Sequence, residues 1–181
     1  IMACDLGAGR AQPCKDAIGG IQEILLCVHD DVTYGAVAAG AISDITSTTT
    51  FYRYAINRNS GVLAQNVESS IENGTIYFNQ ELTVTMAKLV AADSAELHEV
   101  LKNRLSVIAR DNNDNFHVLG LAGGVEVSAG NFGTGQAKGD LNGYSITFNG
   151  EEKAPAPFTI DLSDATAVSG LTGTVTISPA Y

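Results

Sequence analysis

The chain has 181 residues, 45% of them hydrophobic and only 17% charged, enough apolar matter for one domain to fold around a core without disulfide or metal staples. Its 20 acidic residues face 10 basic ones, for a formal net charge of −10 and a pI near 4.5. That balance, with no run of Lys or Arg, argues against a protein that grips the nucleic-acid backbone, because such proteins gather cations to displace condensed counterions.

In chain order, Gly19-Gly20 is a flexible entry to a first strand over residues 21–28, IQEILLCV, short and apolar with imperfect alternation. Residues 32–50 are rich in Ala, Gly, Ser and Thr with few large anchors, and are expected to project as an arm or long loop. Residues 51–56, FYRYAI, read as a half-buried strand with Phe51 and Arg53 on one face and Tyr52, Tyr54 and Ile56 on the other. After the turn Glu72-Asn73-Gly74, residues 75–90 form the clearest strand, apolar through Ile76, Phe78, Leu82, Val84, Met86 and Val90, with Gln80 and Lys88 interrupting that side. The opposite side carries Thr75, Tyr77, Asn79, Glu81, Thr83 and Thr85, a wet face on a strand far longer than the usual five or six residues.

A helix is expected from about Ser94 to Arg104, capped by Asp93, with Leu97, Val100 and Leu101 as its stripe. Residues 105–110 and 115–121 follow as a hairpin around the turn 111–114, and further strands at 123–129, 143–150 and 171–178 are separated by Gly-rich joints and by a stretch broken at Pro155 and Pro157. Strand after strand with a single helix points to a mainly β domain, an antiparallel sandwich or barrel carrying one packed α-helix. No βαβ alternation offers the nucleotide site of parallel sheets.

Chemistry-bearing patterns are weak. Asp111, Asn113 and Asn115 copy the first spacing of a calcium loop, but Phe116 stands where the sharp-turn Gly belongs, so a hairpin turn is the better reading. Residues 133–139, GTGQAKG, depart from the order of a phosphate loop. His29, His98 and His117 lack ligand spacing, and Asp30-Asp31 and Glu151-Glu152 read as solvated acids in turns. Cys4, Cys14 and Cys27 read as free thiols, a Cys4 to Cys14 bridge being the alternative. No catalytic residue, cofactor or metal ligand is assigned, and the chain is not expected to be an enzyme. No apolar run reaches the length of a bilayer span, and the opening residues lack the pattern of a signal peptide, so a soluble chain made in the cytoplasm is expected.

Three segments carry a resemblance: Ala3 to Gly20 (ACDLGAGRAQPCKDAIGG), Gln65 to Phe78, and Gly139 to Tyr144 followed by Thr147-Phe148. Together they resemble small tail structural proteins of tailed bacteriophages, the tail tube proteins above all, over most of the first 155 residues. The resemblance implies a single domain over 1–181 with an N-terminal segment (1–20) and the projecting segment (about 32–50) as bridges to other subunits. It also implies hexameric rings that stack into a tube in the virion tail, with a shared inner barrel through which DNA passes without specific binding. The partners would be further copies and other tail proteins, with no membrane. The strand 75–90 would form the wall, and Glu81, Thr83 and Thr85 would face the lumen. The alternatives are a neck, adaptor or decoration protein of the virion, or a carbohydrate-binding sandwich using Tyr52 and Tyr54.

Overall fold

The computed structural model describes residues 9–162 and 175–178. Strand β1 (Ile21–Val28) pairs antiparallel with β5 (Thr50–Ala55) on one side and β8 (Leu105–Asp111) on the other, which makes it a central strand. This position explains its poor alternation. Ile24 and Leu26 enter one core and Leu25 and Cys27 a second core on the opposite face, so both sides of the strand are apolar. The same division runs along β8, where Val107 and Ala109 face the first core and Ile108 the second. Strand β9 (Phe116–Leu119) completes the expected hairpin with β8. The seven-stranded sheet runs β13-β5-β1-β8-β9-β12-β3, with β13 (Thr176–Ser178), β12 (Phe158–Thr159) and β3 (Ala41–Ile42) as short outer members.

Against its first face lies a four-stranded antiparallel sheet of order β10-β11-β7-β6, built from β6 (Gly61–Ser70), β7 (Thr75–Ala87), β10 (Glu126–Gly133) and β11 (Gly143–Glu152). Leu82, Val84, Ile146 and Phe148 project from it into the first core. The result is the expected mainly β sandwich with one α-helix, α1 (Ala91–Val100), among the described residues.

The second core needs a cover, and the segment 32–50 supplies it. Rather than projecting as an arm, it forms the small ladder of β2 (Val32–Tyr34) with β4 (Ile45–Ser47), and it buries Ile42 and Ile45 beside Phe51 and Leu162. Two isoleucines, with Val32 and Tyr34 packed around them, suffice as anchors because β1 and β8 already offer an apolar surface. Among the described strands, the β6–β7 hairpin is the one that overhangs. Its ladder runs to Ser70 and Thr75, whereas β11 pairs with β7 only as far as Phe78; Val67 opposite Phe78, and Ile71 and Ile76 beyond it, are exposed.

Helix α1 begins at Ala91, three residues before the expected start, and Asp93 sits in its first turn without capping it. The Tyr144 hydroxyl accepts from the Val90 N–H at 3.0 Å, donates to the Val90 carbonyl at 2.9 Å, and lies 2.7 Å from Ser94 Oγ, so a core tyrosine fixes the helix entry. Of the expected stripe, Leu97 is buried and Val100 packs on the core, while Leu101 lies past the last helical residue and is exposed. Strand β10 starts at Glu126 rather than 123 and reaches Gly133. The strand expected at 171–178 is described only from residue 175, and Cys4 of the alternative disulfide lies outside the described residues.

Candidate functional site

The outward face of the four-stranded sheet is the candidate site. Strands β6, β7, β10 and β11 contain no Lys and no Arg, yet they hold Glu68, Glu81, Glu126, Glu151 and Glu152. All ten cations of the chain therefore lie elsewhere. Residues paired across antiparallel strands share a face, so the register sorts the side chains. Glu81 sits opposite Asn149 on one side and Ala64 on the other, Thr83 opposite Thr147 and Val62, and Thr85 opposite Ser145. On the neighbouring strands, Glu68 of β6 pairs with Tyr77, Glu151 of β11 with Asn79, and Glu126 of β10 with Asn149, which puts these three carboxylates on the same outward face as Glu81.

Glu81 is exposed, whereas Thr83 and Thr85 are half-buried among their neighbours. The Thr83 and Thr147 hydroxyls are 3.1 Å apart and share a hydrogen bond across the strands. The face thus presents hydroxyls, amides, small side chains and four separated carboxylates around the exposed Val62 and Tyr77. A polyanion near it meets like charge and no donor cation. The sheet also ends in two edges, β6 and β10, that have a sheet partner on one side only among the described residues. Unpaired edges of this length are templates for pairing with another chain.

The other sequence candidates resolve into structure. Gln80, which interrupts the apolar side of β7, is buried, accepts from the Gly120 N–H at 3.1 Å and donates to the Ala154 carbonyl at 3.4 Å, tying the sheet to two loops. Lys88 lies past the end of β7 with φ of 73°, in the turn that leads to α1. Glu152 is not a solvated turn acid. It is a buried residue of β11 whose carboxylate accepts the N–H groups of Ala122 and Gly123 at 2.9 and 2.7 Å. Asp30 pairs with Arg104 at 2.8 Å, and Asp31 accepts from the Thr49 hydroxyl at 3.1 Å.

The calcium-like spacing is a closed hairpin turn, in which one Asp111 oxygen accepts the N–H groups of Asn113 and Asn115 at 2.8 and 2.9 Å. Burial alone would raise the Asp111 carboxyl, but these bonds and His117 together hold it below its ordinary value. In the loop 134–142, Asp140 takes the place an anion would need: its carboxylate accepts the N–H groups of Ala137 and Gln136, and that holds its pKa down. His98 stands on the exposed side of α1. Among the described residues no group of three or more His, Cys, Asp or Glu side chains is arranged to hold a metal, and no helix is long and apolar enough to cross a membrane.

Sequence reasoning missed β6 altogether, although the Glu72-Asn73-Gly74 turn is a signal that another strand precedes it. Comparison with protein-family models, with curated proteins and with solved structures finds no match to this chain.

Proposed function

We propose that the chain is a non-catalytic structural subunit that joins copies of itself edge to edge, β6 of one against β10 of the next, into a closed barrel lined by the cation-free face. Such a contact is heterologous, so it closes into a ring when the rotation per subunit divides a full turn. Closure removes both open edges at once. The observation that carries this reading is the coincidence of one largely polar, lysine- and arginine-free face with edges on both sides of it that are unpaired among the described residues.

The resemblance in sequence supplies the biological setting: the tail tube of a tailed bacteriophage, in rings of six that stack, with Glu81, Thr83 and Thr85 toward the lumen. DNA would slide past a surface that offers it no salt bridge. The overhanging β6–β7 hairpin, with Val67 and Ile76 exposed, would gain its cover from a neighbouring copy.

Hydrogen exchange read by mass spectrometry across a concentration series tests the edge contact. The amides of residues 61–70 and 126–133 should become protected as the chain associates, while those of the exposed loop 134–142 keep exchanging. Association without added protection of β6 and β10 would refute the edge-to-edge arrangement.

A further inference from the structure

A groove runs along the junction of α1 and β5, away from the sheet face. One cavity of about 480 Å³ is lined by Tyr52, Tyr54, Asp93 and Glu96, and an adjoining one of about 260 Å³ shares Tyr52, Tyr54 and Glu96 and continues past Asp31, Glu99 and Asn103. Its floor is apolar, with Leu26, Leu97, Val100 and Leu105 contributing. Tyr52 is 49% exposed although it stands on a strand that has partners on both sides. The cations nearby are committed: Arg53 donates to the Leu162 carbonyl at 2.8 Å and lies 3.8 Å from Glu23, and Lys102 holds Glu99 at 3.0 Å. The groove therefore presents tyrosine rings and surplus carboxylate to solvent.

The chain holds a segment of opposite character. Residues 9–20, GRAQPCKDAIGG, form no strand or helix and are exposed throughout, and they carry Arg10 and Lys15 against the single acid Asp16. Only their end is fastened: the Ile18 N–H donates to Asn113 at 2.8 Å, and the Ile18 carbonyl accepts from Asn113 at 2.6 Å. That anchor is the turn beside Ile21, at the opposite end of β1 from the groove residues Leu26, Cys27 and Val28.

We infer that the groove receives residues 9–17 of a second copy, with Arg10 or Lys15 over the Tyr52 and Tyr54 rings and against Asp93 and Glu96. A guanidinium or ammonium there gains cation–π and charge contacts together, while Pro13 keeps the segment extended. The inference rests on the self-assembly reading but concerns a different surface from the β6 and β10 edges.

Cys14, exposed and flanked by Lys15, makes the contact measurable. In the full chain carrying Asn103→Cys, mild oxidation should link Cys14 of one copy to position 103 of another, giving a ladder on non-reducing gels whose linkage mass spectrometry assigns. The same chain carrying Lys138→Cys instead should give no such link to Cys14. Adding Glu96→Lys, or Arg10→Glu with Lys15→Glu, should slow the linkage roughly fivefold or more, and raised salt should do the same. An assembly that forms normally while Cys14 never links to position 103 overturns the groove contact and leaves the edge contact standing. A chain that stays monomeric at every concentration overturns both.

Discussion

Phe148→Ala is expected to lower the unfolding free energy by about 3–5 kcal/mol, whereas Thr147→Ala, one residue away, should cost less than about 1 kcal/mol. Phe148 is buried in the first core opposite Leu82, and truncating it leaves a cavity between two sheets that are tied by hydrogen-bonded loops and cannot readily close over it. Thr147 points the other way and loses one shared hydroxyl contact, with Thr83. Stability of ordinary domains is about 5–15 kcal/mol, so the first change removes a large share of the total. Urea denaturation followed by circular dichroism reads both. Because a slip of one residue would exchange the two faces, comparable losses at 147 and 148 would mean that the inward and outward sets are wrongly assigned.

The second large effect concerns charge on the outward face. Glu68→Lys, Glu81→Lys and Glu126→Lys combined replace three carboxylates by three ammonium groups on each copy, and a ring multiplies that change. The assembled variant is expected to retain double-stranded DNA at low salt and to lose about 10³-fold or more in affinity between 50 and 200 mM salt, as phosphate-neutralising surfaces do. The assembled wild-type chain should retain none under the same conditions. Filter binding across a salt series makes the comparison, and an assembled variant that ignores DNA would show that the face does not line a DNA-sized passage.

Much of the architecture was legible because large side chains announce it. The run IQEILLCV marked β1, and the alternation of Gln80 to Val84 marked β7 with its two faces, including the outward placement of Glu81, Thr83 and Thr85. The segment 32–50 misled because its anchors are only two isoleucines; their worth depends on a second apolar face of β1 and β8 that a strand sequence read alone does not declare. Strand β6 was hidden for a related reason. Its residues GVLAQNVESS have little apolar content of their own, and the strand exists because β7 offers a ladder across the Glu72-Asn73-Gly74 turn.

Glu152 was misread because its two backbone donors come from about thirty positions away in the chain, beyond the reach of any local pattern. Asp93 looked like a cap, but the helix entry is held instead by Tyr144, which lies 54 residues from Val90. The cation-free sheet was present in the sequence as the absence of Lys and Arg from four separate stretches. It became a surface only when the strand order β10-β11-β7-β6 brought those stretches side by side.

Electron cryomicroscopy of the purified chain over a range of concentrations would show whether this face lines a closed barrel of identical copies. Rings or stacked tubes are expected in which β6 of each copy lies beside β10 of the next and Glu81 points into the central channel. Rings with the four-stranded sheet facing outward, or particles that remain monomeric throughout, would contradict this arrangement.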